Sequence, residues 1–218
     1  MPDLFKFPDY FKSYQWRDKH HLYGYPADCF PEFQWIKSLE TRFLWQRENY
    51  AAKQTASVYL LKEMLQWGGG QNGVLQKFED QQGEVNLLQL IEGVVNNLGT
   101  PSEAIANALL LPGMGLTYAS KLLRFLSPEE YGALDSRLRR ALGERIKGQL
   151  PTIYDGNVGS MRKGYEAFLS YLSELKAQLE SKSIVRPMCS LPRGTTQTGW
   201  RAADIEMALF CWAESGEP

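Results

Sequence analysis

The sequence predicts an all-α fold in which two helical lobes enclose a cleft. From about residue 36 onward, apolar residues recur at three- and four-residue spacing, as they do in amphipathic helices. Glycines and Thr-Pro or Ser-Pro pairs separate these stretches at positions where helices end and begin. No stretch of any length alternates apolar and polar residues as a half-buried β-strand would.

Composition is that of a globular protein. The chain has 218 residues, of which 44% are hydrophobic and 22% charged, and its formal net charge is −1. It contains no run of about 18 apolar residues, so we expect no membrane association. The N-terminus lacks the apolar core of a signal peptide, and we therefore expect a cytoplasmic protein, associated with the nucleoid if the source is prokaryotic.

Metal and disulfide chemistry are not expected. The three cysteines, Cys29, Cys189 and Cys211, are too few and too scattered for a disulfide framework or a zinc site. The adjacent pair His20 and His21 is interpreted as part of a solvated loop. We therefore predict that the protein works without a metal centre or an organic cofactor.

Aromatic residues are concentrated in the first part of the chain. Residues 1–35 are irregular and contain proline, and they include Phe7, Tyr10, Phe11 and Tyr14. Such a segment is predicted to lie as an arm along the body of the protein, burying its rings there. An arm that contacts nucleic acid is the alternative.

The first predicted helices fill residues 36–67 and end at Gly68-Gly69-Gly70. Residues 66–73, which include Trp67, form either one wall of a cleft or a simple loop. A further amphipathic helix is predicted over 85–98. Thr100-Pro101-Ser102-Glu103 then has the signature of a capped helix start, with Thr100 as N-cap, for a helix over 101–111.

The second half continues in the same way. Helices are predicted over 116–126, from Asp135 onward, over 161–179 and over 200–212, with loops at 149–160 and 181–199. Ser127-Pro128-Glu129-Glu130 repeats the capping signature of residues 100–103. Asp135 is itself a good N-cap for the arginine-rich helix behind it.

A glycine turn, Gly113-Met114-Gly115, joins two of these predicted helices. Glycines at the mouth of a helix leave backbone N–H groups accessible to an anion such as a DNA phosphate. A purely structural helical hairpin uses the same residue types. Residues 112–165 carry nine basic and five acidic side chains in a chain whose net charge is −1, so one face is predicted to be basic.

Residues 111–142, with Leu-Pro-Gly-Met-Gly followed by Leu134-Asp135-Ser136-Arg137-Leu138, resemble the helix–hairpin–helix base-excision DNA glycosylases. The resemblance implies that Asp135 is the catalytic carboxylate. It implies phosphate contacts from the hairpin and the helix after it, made by Gly113, Met114, Gly115, Arg137 and Arg139. It also implies one glycosylase domain over 36–218, with a hairpin lobe at about 100–165 and a second lobe formed by the N- and C-terminal helices. A monovalent cation bound at the hairpin is the one ion left open.

The stretch from Gly199 to Phe210 resembles the closing helix of the 8-oxoguanine glycosylases. There a glutamine and a phenylalanine four residues later contact the flipped base. Glu206 takes the place of the glutamine and Phe210 that of the phenylalanine, and i and i+4 share one helical face. The alternative is that Phe210 is a core residue and Glu206 is solvated.

One position departs from the lysine-dependent members of the family. Their Schiff-base lysine would fall at Thr117, whereas Lys121 lies one turn further on the same face. A partly desolvated lysine has a lowered pKa and can act as a nucleophile. Lys121 is therefore a candidate catalytic residue, with a phosphate contact or a salt-bridged surface lysine as alternatives. Thr117 and Trp67 complete the implied base pocket.

The predicted function is that of a monomeric DNA glycosylase that excises a damaged or modified base from double-stranded DNA. An 8-oxoguanine-like purine is the favoured base, although Glu206 in place of an amide leaves the target open. Strand cleavage at the resulting abasic site is also open. The alternatives are a non-enzymatic helix–hairpin–helix DNA-binding module and a helical protein-interaction domain.

Overall fold

The computed structural model describes residues 2–14, 33–146, 148–189, 191 and 199–216. Every regular element in these ranges is a helix, which confirms the all-α prediction. His20, His21, Cys29 and residues 15–32 of the predicted arm lie outside the described residues. In the described ranges, no helix is long and apolar enough to cross a membrane.

Ten α-helices and two short 3-10 segments, Leu4–Lys6 and Gln71–Gly73, make up the described structure. The helices are α1 Phe7–Ser13, α2 Gln34–Lys53, α3 Val58–Trp67, α4 Val74–Gln81, α5 Leu87–Asn96, α6 Pro101–Ala108, α7 Leu116–Leu126, α8 Ser136–Arg145, α9 Val158–Ser181 and α10 Ala202–Ser215.

Two helices, α7 and α10, form the centre of the molecule. All residues of α7 except Thr117 are buried, and so is every residue of α10 from Ala202 to Phe210. Helix α7 packs against α2, α3 and α6, whereas α10 packs against α1, α8 and α9. A helix buried on all sides needs apolar residues around its circumference, which is why the sequence of α10 shows no clean amphipathic stripe.

The second capping signature does not start a helix. Residues 127–130 form only a turn, and residues 131–135 belong to no helix, so the prediction from Ser127-Pro128-Glu129-Glu130 is wrong. The reason is a tertiary contact. The carbonyls of Pro128 and Glu129 accept hydrogen bonds from the N–H groups of Ala203 and Ala202, at 3.0 and 3.2 Å. The carbonyls of the turn thus pair with N–H groups at the amino end of α10, and these hydrogen bonds hold the turn in a non-helical conformation.

The first capping signature correctly predicts where α6 begins, but the capping hydrogen bonds that it predicts are not formed. Thr100 is the N-cap of α6, yet its side chain makes no capping hydrogen bond. Glu103, which the pattern would turn back onto Thr100, forms an ion pair with Arg162 of α9 instead. Helix α6 is therefore held at its start by α9, with Ser102 Oγ also accepting a hydrogen bond from Arg162 Nε at 2.8 Å.

Candidate functional site

The glycine turn, defined here as residues 111–115, is built around a glycine in a left-handed conformation. Gly113 has φ 72°, and a Cβ there would lie 3.0 Å from both Lys77 Cβ and the Val74 carbonyl oxygen of α4. Gly115 is the N-cap of α7 with extended backbone, and a Cβ there would meet no atom within 4 Å. Packing thus requires the first glycine, while open space lies in front of the second.

Several backbone N–H groups of the glycine turn and of the first residues of α7 have no acceptor among the described residues. Those of Gly113, Gly115, Leu116 and Thr117 donate no hydrogen bond within the part of the chain that the structure describes. The N–H of Met114 differs, because it donates to the Leu111 carbonyl at 3.1 Å. The Met114 side chain is also buried. The amides available to an anion are therefore those on either side of Met114, at the positive end of α7.

Asp135 lies at the other end of a tightly held segment, residues 127–135, which we call the connecting segment. Its Oδ1 accepts the Leu138 N–H at 2.8 Å, so Asp135 caps α8 as predicted. One residue earlier, the Leu134 N–H donates to Ser120 Oγ of α7 at 2.9 Å. Further back, Tyr165 donates its hydroxyl hydrogen bond to the Gly132 carbonyl at 2.9 Å. These bonds fix the Asp135 carboxylate relative to α7.

Lys121 is a buried lysine, so the alternative of a salt-bridged surface residue is wrong. Only 5% of its surface is exposed. Its Nζ donates to the Gly68 carbonyl at 3.2 Å and lies 5.2 Å from the Trp67 ring centroid. Burial lowers its pKa to about 8, more than the nearby carboxylates of Asp135 and Glu206 raise it. About a tenth of Lys121 is thus a neutral amine at pH 7.

Two adjoining spaces meet at Lys121 and Asp135. The larger, which we call the cleft, is an open cavity of about 430 Å³ in front of the glycine turn. The smaller, which we call the recess, encloses about 10 Å³, room for a single water molecule. Only Lys121 and Asp135 among the described residues line both spaces. The other recess residues are Tyr14, Trp67, Ala133, Glu206 and Phe210, and the cleft includes Asn72, Lys77, Gly113, Gly115, Thr117, Arg137, Arg139 and Asp155.

Glu206 and Phe210 share the recess, as their i, i+4 spacing on α10 predicts. The alternative of a solvated Glu206 is wrong, because 4% of this residue is exposed. Burial raises the pKa of Glu206 to about 7, although the Arg124 guanidinium and the Ala133 N–H act in the opposite direction. Its Oε2 lies 3.4 Å from Arg124 Nε and makes no hydrogen bond within the described ranges.

Thr117, Arg137 and Arg139 lie in the cleft and not in the recess. Thr117 was predicted to be part of the base pocket and is instead beside the glycine turn. Arg139 forms a double hydrogen bond with Asp155, at 2.7 and 3.1 Å. Arg137 pairs with Glu214 at 2.5 Å and lies 5.8 Å from the Phe210 ring centroid. Both arginines therefore reach the site while paired with partly exposed carboxylates.

A chain of buried charges lies directly behind the recess, and no spacing in the sequence predicted it. Arg124, fully buried, lies 3.2 Å from Glu40 of α2 as well as 3.4 Å from Glu206. Glu40 also binds Arg201 at 2.8 Å. Arg201 and Arg186 both pair with Asp204, at 2.7 and 2.6 Å. We call these six residues the buried ion network: Glu40, Arg124, Arg186, Arg201, Asp204 and Glu206.

Sequence reasoning missed two recess residues, Ala133 and the larger Tyr14. The rings of Phe7 and Phe11 pack edge-on against Trp200, with centroids 6.2 and 5.9 Å apart, and so dock α1 on the start of α10. Tyr14, just after α1, then contacts Phe210 edge-on at 5.6 Å. The aromatic content of the arm predicted burial, but no spacing in the sequence links residue 14 to residue 210.

No group of three or more His, Cys, Asp or Glu side chains suited to a metal ion occurs among the described residues. Comparisons of the chain with protein-family models, with curated protein sequences and with solved structures found no match. The function is therefore inferred from the cleft and the recess themselves.

Proposed function

We propose that this protein is a DNA glycosylase that extrudes a modified base, excises it through Lys121 and then cleaves the strand. The observation that supports this most directly is the position of Lys121 and Asp135 where cleft and recess meet. A glycosidic bond joins a sugar–phosphate backbone to a base. A backbone in the cleft and a base in the recess would place that bond beside the two residues.

In this proposal, α6, the glycine turn and α7 act as a helix–hairpin–helix, and the cleft separates two helical lobes. A phosphate would bind the free amides of Gly113, Gly115, Leu116 and Thr117. Lys77, Arg137 and Arg139 supply positive charge along the same cleft. Partly exposed ion pairs such as Arg139–Asp155 are weak, so exchanging a carboxylate for a phosphate costs little.

The extruded base would enter between Phe210 and Trp67. Because the recess now holds one water at most, its walls must separate when the base enters. Glu206 Oε2 is an acceptor without a hydrogen bond in the described structure, so a base edge with N–H donors suits it. An oxopurine such as 8-oxoguanine offers two adjacent N–H donors on one edge, which matches a carboxylate.

The chemistry assigned to Lys121 begins with its neutral amine attacking C1′ of the extruded nucleotide. The glycosidic bond breaks, its electron pair leaves with the base, and the base takes up a proton. Opening of the sugar ring and loss of an amine proton leave a protonated imine between Nζ and C1′. Removal of a C2′ proton then expels the 3′ phosphate and cleaves the strand.

Asp135 would stabilise the positive charge that develops at C1′ and on Lys121. Its carboxylate lies at the amino end of α8, and the bond from Leu138 N–H fixes its direction. A preorganised charge of this kind acts without reorientation during the reaction. Asp135 is thus assigned an electrostatic role, and Lys121 the covalent one.

Borohydride trapping tests the covalent step. The protein is incubated with duplexes that each carry one modified base, 8-oxoguanine first, in the presence of borohydride, which reduces the imine to a stable amine link. We expect a protein–DNA adduct with the wild type and none with Lys121→Ala. Lys163→Ala removes an exposed lysine of α9 and serves as the matched control, which should trap like the wild type.

Two other outcomes would contradict parts of the proposal. Base release without any adduct would mean direct hydrolysis, and Lys121 would lose its assigned role. Salt-dependent duplex binding with no base release from any lesion, unchanged in Asp135→Asn, would favour the non-enzymatic DNA-binding module instead.

A further inference from the structure

Tyr14 occupies a position in the recess that packing alone does not explain. Its ring, 3% exposed, is held edge-on to Phe210, and its backbone N–H closes α1 by donating to the Phe11 carbonyl at 3.3 Å. Phe7 and Phe11 already anchor α1 to Trp200. A phenylalanine at position 14 would therefore fill the same volume, so the hydroxyl must be explained separately.

Tyr14 lines the recess together with Glu206 and Asp135, and the charges of both carboxylates act on its hydroxyl. The residue is buried, but its hydroxyl oxygen is not one of the fully buried atoms that lack a partner in the described structure. Burial, with these carboxylates, raises its pKa well above the ordinary value. The group therefore stays a neutral O–H donor throughout the range in which the protein would act.

A neutral hydroxyl at the edge of a recess can donate to an acceptor that is placed beside it. The recess as it stands has room for no more than a water molecule. Glu206 supplies an acceptor on the same recess, so the two side chains offer a donor and an acceptor next to each other. A ligand that satisfies both needs an acceptor atom close to its N–H donors, together with a flat face for Phe210.

We propose that Tyr14 is a specificity-determining residue of the recess, whose hydroxyl donates to a carbonyl oxygen or ring nitrogen on the edge of the extruded base. This inference rests on the proposed glycosylase function and adds to it. The first helix of the chain then takes part in selecting the base, alongside Glu206 of α10. Bases that lack an acceptor at that edge would leave the hydroxyl unsatisfied and be excised more slowly.

The test compares base excision with cleavage at a preformed abasic site, where there is no base for Tyr14 to contact. The substrates are a duplex with one 8-oxoguanine, or the best-cleaved lesion of the panel above, and the same duplex with an abasic deoxyribose. We expect Tyr14→Phe to lower the ratio of excision to abasic-site cleavage about fivefold to tenfold, the loss of one neutral hydrogen bond. Tyr10→Phe changes a buried tyrosine of α1 outside the recess and should leave the ratio as in the wild type.

A ratio unchanged in Tyr14→Phe overturns the inference while leaving the glycosylase proposal intact. An equal fall in both activities also overturns it, because that is the effect of a structural role alone. If the wild type excises no base from any member of the panel, the proposed function fails and the inference fails with it. Thermal unfolding of each variant verifies that the ring still packs.

Discussion

Lys121 shows how one position can hold a charge that the fold disfavours. Its pKa of about 8 arises mainly from burial, with Arg124 and Arg137 adding to the fall and Asp135 and Glu206 opposing it. The four-residue spacing predicts that Lys121 shares a helical face with Thr117. Its amine becomes reactive only when the side chain is desolvated, and the structure buries it. Arg124 and Tyr14 could not be predicted in the same way, because their environments come from α2, α10 and the N-terminal arm.

The pH dependence of trapping should follow the Lys121 amine. At pH 7 about a tenth of the molecules carry the neutral amine, and the fraction approaches one by about pH 9. We therefore expect the single-turnover rate of borohydride trapping on an abasic duplex to rise nearly tenfold between pH 6 and 7, and to level off above about pH 8. A rate that still rises steeply beyond pH 10 would show that the reacting amine is not buried Lys121.

Removing the lysine should stabilise the fold. In the folded state the pKa of Lys121 is lowered, so below pH 8 the fold holds a charged amine that the unfolded chain solvates better. We expect Lys121→Met to raise the free energy of unfolding at pH 7 by about 1–3 kcal/mol. The gain is smaller than the free energy that corresponds to the whole pKa shift, because the Gly68 carbonyl loses a donor. Between pH 8 and 10.5 the unfolded chain binds more protons at this lysine than the folded chain does. The free energy of unfolding of the wild type therefore rises with pH in that range, which sets the sign of the effect.

Urea unfolding at pH 7 and at pH 10 measures this difference. The gap in free energy of unfolding between variant and wild type should narrow at pH 10, where nearly all of the folded lysine and about a quarter of the unfolded lysine is neutral. A Lys121→Met protein less stable than the wild type at pH 7 would contradict the interpretation.

At the scale of elements, local signals predicted the site better than they predicted its surroundings. The start of α7 after Gly115 and the start of α8 after Asp135 depend on residues adjacent in sequence, and both are confirmed. The turn at 127–130 has the same type of signal and is not a helix, because α10 uses its carbonyls. Helix α4 was not predicted, although it lies against Gly113.

The two glycines of the turn should respond differently to the same substitution. Gly113→Ala places a Cβ at φ 72° and 3.0 Å from α4, so we expect about 2 kcal/mol or more of destabilisation. Gly115→Ala meets open space and should cost about 1 kcal/mol at most. Its methyl group would instead lie in the path of a bound phosphate, and we expect about tenfold weaker duplex binding.

Chemical unfolding and duplex titration at fixed salt measure the two effects separately. If Gly115→Ala binds a duplex as tightly as the wild type, the turn is a structural hairpin and does not hold a phosphate.

For the molecule as a whole, the buried ion network connects α2, α7, the segment before α10 and α10 itself. Its three cations and three carboxylates alternate, so each charge is neutralised locally. Removing one partner leaves a neighbouring charge unpaired in the protein interior, where it is poorly solvated. The network thus holds one wall of the recess in place, since Glu206 belongs to both.

Glu40 is the member whose loss should matter most, because among the described residues it alone pairs with both Arg124 and Arg201. We expect Glu40→Ala to destabilise the protein by about 3–5 kcal/mol in denaturant unfolding. Glu63→Ala is the matched control. Glu63 is also buried and also paired, but its charged partner Arg42 is 41% exposed and can be solvated. The other partner, the buried Trp35 Nε1 at 3.0 Å, is a neutral donor, so a smaller loss is expected than for two stranded charges. Equal losses would show that the network has no special part in stability.

The docking of α1 on α10 has a consequence for the order in which the protein acquires activity during synthesis. The walls of the recess come from residues 14, 67, 121–135 and 206–210, so they span almost two hundred positions of the chain. A ribosome synthesises Tyr14 long before Phe210, so the recess is completed only when α10 has been made and has packed against α1. Under the function proposed above, base excision begins only after that docking step.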